Sequence, residues 1–135
     1  MAPRFFGAGA LLLMYVITGG AGFIGSNIAW GLSKRGLGPI AIVDRLREAD
    51  KWRNLRNREI SFLVAPENLI KFLNSNHKEI DAVIHMGAIS ATTERNVDYI
   101  INNNFQLSLE LWNWCTIHEV RFIYASSAAT YGNGN

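Results

Sequence analysis

Gly19, Gly22 and Gly25 stand at three-residue intervals behind the apolar run Val16-Ile17-Thr18 and ahead of a second apolar segment opening with Phe23-Ile24. This pattern suits phosphate binding. Gly19 permits a turn that a Cβ would obstruct, Gly22 lets backbone approach a pyrophosphate, and Gly25 lets the following helix lie close on the strand. The anion would face the helix N-terminus, where free N–H groups and the helix dipole favour negative charge. Gly20, Gly22 and Gly25 also satisfy G-x-G-x-x-G, and Asp44 ends the next apolar run at about the 20-residue offset of a ribose contact.

Cations bunch behind that acid: Arg45, Arg47, Lys51, Arg53, Arg56 and Arg58. Asp44 suits the 2'-hydroxyl of NAD, whereas Arg45 with Lys51 or Arg47 would hold the 2'-phosphate of NADP. Charge complementarity favours NADP, with NAD as the alternative.

The elements that must position these residues follow from periodicity. Ile24, Ile28 and Leu32 recur at helical spacing before Gly36 stops the helix. Pro39 to Val43 is a short apolar run expected to form a buried strand, and Trp52 with Leu55 anchors a short helical turn. Ile60 to Val64 is a third strand. Pro66 opens a helix with Leu69, Ile70, Phe72 and Leu73 on its inner face. Ala82 to His85 is a fourth strand running into the small-residue loop Met86-Gly87-Ala88. A long helix is expected from about Val97 to His118, and Arg121 to Ala125 is the fifth strand, delivering Ser126-Ser127. Strands alternating with helices predict an α/β fold, a doubly wound parallel sheet of the Rossmann kind. The glycine loop, Asp44, Gly87 and Ser127 would then share its C-terminal edge, where ligands bind.

The chain of 135 residues is one domain's worth, with 49% apolar and 18% charged residues. A net charge of +2 is too small to argue for nucleic acid. Cys115 is alone, which leaves no disulfide framework and favours a reducing, cytoplasmic compartment. Arg4 and the apolar residues that follow resemble a signal peptide, but cleavage there would damage the first strand, and glycines interrupt the run before it could span a bilayer. Residues 1–13 are therefore read as an N-terminal extension, and 14–135 as the nucleotide-binding domain, with no membrane association. His85 is read as a buried, hydrogen-bonded residue rather than a catalytic one. His77 and His118 lack ligand spacing with Cys115, so no metal site is expected. Trp112 and Trp114 cannot face the same way on a helix; one is expected to pack inward.

With these residues placed, the chain resembles the extended short-chain dehydrogenases/reductases, the nucleotide-sugar epimerase and dehydratase group. The resemblance rests on Thr18-Gly-Gly-Ala-Gly-Phe-Ile-Gly-Ser26, His85-Met-Gly-Ala88 and Tyr124-Ala-Ser-Ser-Ala-Ala-Thr-Tyr-Gly132. Within the group it is most similar to the ADP-glycero-manno-heptose 6-epimerase branch, through Ser90-Ala-Thr-Thr-Glu94 and Asn103-Asn104-Phe105. The resemblance implies backbone contacts to the pyrophosphate from Phe23 and Ile24, with Asp44 and Arg45 at the adenosine ribose and Lys51 as a further cofactor contact. It places Met86, Gly87, Ala88 and Ser90 beside the cofactor, with Asn103 supporting it, and Ser127 as the catalytic serine. Pro66 departs from members that carry a basic cofactor contact there.

The same resemblance implies a Tyr-x-x-x-Lys pair, in which lysine and nicotinamide ribose lower the tyrosine pKa until it serves as a base. Four residues beyond Tyr131 stands Asn135. The chain is accordingly read as an incomplete domain, lacking the last strands and a C-terminal substrate domain, and inactive alone. The intact member is expected to be a homo-oligomer that epimerises a nucleotide sugar, ADP-heptose first, through a transient ketone. A UDP-sugar 4-epimerase or dehydratase, or a non-catalytic dinucleotide-binding fragment, are the alternatives.

Overall fold

The protein was analysed as a computed structural model, which describes residues 13–46, 50–89, 93–127 and 132. Five strands form one parallel sheet in the order β3-β2-β1-β4-β5. They are β1 Met14–Thr18, β2 Ile40–Val43, β3 Phe62–Val64, β4 Ile80–His85 and β5 Arg121–Tyr124. The chain runs outward from β1 through β2 to β3, then returns to place β4 on the other side of β1. The C-terminal ends of β1 and β4 therefore flank the point where the winding reverses, the crevice that open α/β sheets use for ligands.

Both faces of the three central strands, β2, β1 and β4, are covered, as the continuous apolar runs of parallel strands require, while β5 at the edge is largely exposed. Successive residues of β1 point opposite ways. Val16 packs with Val43 and Val83 against Leu69 and Leu73 of α2 (Leu69–Asn76) and Leu111, Trp114 and Cys115 of α4 (Leu107–Ile117). Ile17 packs with Ile42 and Ile84 against Ala29 of α1 (Phe23–Lys34), flanked by Ile28 and Leu32. Helix α1 thus lies on one face and α2 and α4 on the other, the doubly wound arrangement expected from the sequence.

Boundaries differ where local chemistry intervenes. β4 begins two residues earlier than its apolar run, at Ile80. The pairing with β1 shifts between Met14 and Tyr15, where Met14 opposes Ile80 and Tyr15 opposes Ala82, so Asp81 is an extra residue in the ladder. Helix α2 is preceded by a 3-10 turn, Pro66–Asn68. The long helix is not uniform: α3 (Val97–Ile100) and α4 are joined by a π-helical stretch, Ile101–Gln106, that contains the three asparagines. Asn96 caps its start by accepting the Tyr99 N–H at 3.0 Å.

Trp114 is buried and Trp112 exposed. The Trp114 Nε1–H donates to Asn74 Oδ1 at 2.7 Å, tying α4 to α2. Trp114→Phe would remove that bond and part of the buried ring area, and is expected to lower unfolding free energy by about 1–2 kcal/mol in urea titrations. Burial pushes the Cys115 thiol up to about 11, which makes it a packing residue rather than a nucleophile. Among the described residues no helix is long and apolar enough to cross a membrane.

Candidate functional site at the strand crossover

The glycine loop turns at Gly19, whose φ of +63° is left-handed. A Cβ there would stand 2.7 Å from the Gly87 nitrogen and 2.8 Å from its Cα, so the loops after β1 and β4 touch backbone to backbone. Gly25 is equally crowded, with Gly19 O at 2.5 Å and Gly20 Cα at 2.7 Å from an added Cβ. The close approach made by α1 at this glycine is therefore to the loop itself rather than to the strand. Gly22 is different. Its Cβ would meet only Gly19 O, at 3.2 Å, and the rest of that side is open. Gly22 is also the N-cap of α1, which has no side-chain cap and no acid in its first turn. The N–H groups of Phe23 and Ile24 lie in that first turn, where helix geometry supplies no partner, and both side chains are exposed. An open, uncapped helix start of this kind fits a pyrophosphate and would be filled by a side chain at Gly22.

Asp44 follows β2 with its side chain 7% exposed. One carboxylate oxygen accepts the Ala21 N–H of the glycine loop at 2.9 Å, and the other accepts the Arg45 N–H at 2.8 Å and the Lys51 ammonium. The acid thus braces the loop while keeping lone-pair capacity for another donor. Lys51 belongs to a 3-10 helix, Asp50–Leu55, the short turn expected around Trp52 and Leu55. From the same turn Asn54 donates to Ala21 O at 2.9 Å, and beyond it Arg58 Nε donates to Ser26 O at 3.1 Å. Part of the basic cluster is therefore folded onto the loop and α1. Arg45 turns to Glu67, 3.1 Å away and just past Pro66. Backbone hydrogen bonding first, and Arg45 second, hold the Glu67 carboxyl below its usual range.

On the other side of the crossover, Met86, Gly87 and Ala88 line a cleft of about 640 Å³ between β4, β5 and α4. Ser127 also lines it and is exposed beyond the end of β5. Asn103 donates from its amide to Tyr99 O at 2.7 Å. The residue that meets the loop after β4 is its neighbour Asn104, to which the sequence alone assigns no role at the site, and whose side chain bonds both backbone groups of Ile89. Ser90, Arg47 and Tyr131 lie outside the described residues.

His85 is 5% exposed and hydrogen-bonded on both ring nitrogens. Ser108 Oγ spends its proton on Asn104 O at 2.7 Å, so at the 3.0 Å contact His85 Nε2–H is the donor and Ser108 the acceptor. Neutral His85 then presents a bare Nδ1 to the Thr18 hydroxyl, 2.6 Å away. Burial holds this imidazole below its ordinary range. An unfolded histidine titrates near about 6.5, so as pH falls through that value the unfolded chain binds protons the folded chain refuses. The contribution of His85 is fully present above that pH and is lost below it. The fall in urea midpoint from about pH 7.5 to about pH 5.5 is therefore expected to be steeper in the wild type than in His85→Gln.

Strand order and a glycine loop at the reversal of winding define a domain of the Rossmann class. The chain belongs to the NAD dependent epimerase/dehydratase family, whose family model matches residues 15–135. It is 50% identical over 123 residues to the ADP-L-glycero-D-manno-heptose-6-epimerase of Fusobacterium nucleatum, covering 90% of this chain and 37% of that protein. It is 45% identical over 124 residues to the Nitratidesulfovibrio vulgaris protein of the same name, covering 90% and 38%. Among solved structures, the UDP-N-acetylglucosamine 4-epimerase of Methanobrevibacter ruminantium M1 matches with a TM-score of 0.71 at 30% identity, over 89% of this chain and 39% of that one. The chain spans less than two fifths of the length of these curated relatives.

Proposed function

We propose that this chain is the cofactor-binding part of an NADP-dependent nucleotide-sugar epimerase acting on ADP-glycero-manno-heptose. The observation that carries the reading is the open, uncapped start of α1 at Gly22, set against Gly87 at the strand crossover and braced by Asp44. The 45–50% identity to heptose epimerases over nine tenths of the chain supports the substrate. A UDP-sugar 4-epimerase is the second reading, supported at the lower identity of 30%.

Phe23 and Ile24 N–H groups hold the pyrophosphate, and the missing side chain at Gly22 admits it. Asp44 accepts from the adenosine ribose. Lys51 is half-exposed and has ammonium protons beyond the one given to Asp44, so it is available to a 2'-phosphate, which Arg45 would join by leaving its exposed pair with Glu67. This cation pair favours NADP over NAD. Met86, Gly87, Ala88 and Ser90 flank the nicotinamide half, Asn103 supports it, and the exposed Ser127 hydroxyl binds and orients the sugar oxygen being oxidised. A nicotinamide held there would supply the hydride acceptor and donor for reversible oxidation of the sugar.

The base for that oxidation is not supplied by the given residues. Four positions after Tyr15, Tyr99, Tyr124 and Tyr131 stand Gly19, Asn103, Ala128 and Asn135, none of them lysine. The purified chain should therefore bind NADP more tightly than NAD yet leave ADP-heptose unchanged when the sugar's C6 configuration is followed by NMR. Formation of the epimer by this polypeptide would overturn the assignment of roles.

A further inference from the structure

The loop that closes the crossover from the β4 side is held at two points. Gly87 N–H donates to Thr18 Oγ1 at 3.1 Å. Two residues on, Ile89 N–H donates to Asn104 Oδ1 at 2.7 Å while Asn104 Nδ2 donates to Ile89 O at 2.9 Å, so one side chain engages the peptide edge as a neighbouring strand would. These two anchors come from distant parts of the sequence, the end of β1 and the π-helical stretch. They are joined through one buried ring. Reading the proton order, Gly87 N–H donates to Thr18, Thr18 to His85 Nδ1, His85 Nε2–H to Ser108, and Ser108 to the carbonyl of Asn104. Every donor in this sequence is used once.

The spacing it controls is narrow. A Cβ at Gly19 would collide with Gly87, 2.7 Å from its nitrogen, and one at Gly87 would be tight against Gly19, 3.2 Å from its nitrogen. A shift of Gly87 therefore displaces the glycine loop as well. Helices carry π-helical segments in short stretches, often at functional sites. Here the segment coincides with the asparagine whose side chain leaves the helix to grip Ile89.

We infer that Thr18, His85, Ser108 and Asn104 act as one positioning chain that sets the gap between the Met86–Ile89 loop and the glycine loop, and hence the fit of a dinucleotide across the crossover. The inference rests on the reading of that crossover as the dinucleotide site. None of the four is a catalytic residue; each acts through the backbone of Gly87 or Ile89. The competing account is that each pair merely satisfies its own buried groups, in which case distant members are independent.

Ser108 separates the two accounts, because its side chain hydrogen-bonds to His85 and the Asn104 carbonyl rather than to Gly87 or Ile89. In the 135-residue chain, amide hydrogen exchange is followed by NMR and NADPH binding by its fluorescence. Ser108→Ala is expected to speed exchange of both the Gly87 and Ile89 amides at least tenfold, to leave Val83 and Ile84 protected, and to weaken NADPH binding at least threefold. Thr18→Val should do the same, the double variant should be within twofold of the worse single one, and Thr18→Ser should restore wild-type behaviour. Unchanged exchange at Gly87 in Ser108→Ala, or independent effects that multiply in the double variant, overturns the chain of contacts. Faster exchange with unaltered NADPH affinity overturns the positioning role. If the wild type itself binds no NADPH, the dinucleotide reading fails, and the positioning role with it, while the exchange data still decide whether the four residues hold the loop.

Discussion

Gly19→Ala is expected to destabilise the fold by about 2–3 kcal/mol more than Gly36→Ala, and to lower its melting midpoint by roughly 10 °C relative to that control. The two glycines have nearly the same backbone, with φ of +63° and +69°. An alanine at either position bears the left-handed penalty of about 1–2 kcal/mol. They differ in surroundings. Nothing lies within 4 Å of a Cβ at Gly36, whereas at Gly19 it meets the Gly87 nitrogen, the Gly87 Cα and the Met86 carbonyl carbon, all under 3.0 Å. Those atoms are backbone and cannot rotate away. Relief requires the loops after β1 and β4 to separate, which pulls Gly87 from Thr18 and Gly19 N–H from its 2.9 Å bond to Val43 O. Equal losses in the two variants, measured by thermal melting, would mean that the loops do not meet as described.

Gly22→Val should do the reverse, sparing the fold and removing the ligand. Gly22 has φ −70° and ψ 172°, an extended conformation open to any residue, and a Cβ added there would meet only Gly19 O, at 3.2 Å. The apo protein should lose no more than about 1 kcal/mol, since a glycine cap is replaced without loss of a side-chain bond. The valine methyls would occupy the approach to the Phe23 and Ile24 N–H groups. A ligand at a hundred times its Kd stabilises a protein by about 2.7 kcal/mol, and that NADP-dependent shift should vanish in Gly22→Val. A shift that survives would remove the phosphate from the start of α1.

The two glycine substitutions show why much of this site was readable from residues alone. The loop is defined by what cannot be present, and a missing side chain at fixed spacing is visible in a sequence. So were the strands, because a sheet covered on both faces demands unbroken apolar runs such as Ile40 to Val43. Less visible were features set by partners far along the chain. Asp81 hides the start of β4, since an acid interrupts the apolar pattern at the very residue the ladder leaves unpaired. The asparagines at 102–104 fall inside the stretch expected to be one long helix from Val97 to His118. That one of them grips Ile89 depends on a π-helical turn with no signature in composition. The basic cluster suggested an anion in the sequence, but its division of labour did not show. Lys51 holds Asp44, Arg45 faces Glu67, and Arg58 fastens to α1. That allocation reflects the path of the 3-10 turn across the glycine loop, which charge alone does not specify.

The account stands on a dinucleotide lying across the strand crossover. Titrating the isotopically labelled chain with NADP and following backbone amide shifts addresses this residue by residue. Saturable changes are expected at Gly19 to Ile24, at Asp44 and Arg45, and at Gly87, with the largest at Phe23 and Ile24. No saturable change, or changes confined to surfaces away from the glycine loop, would contradict it.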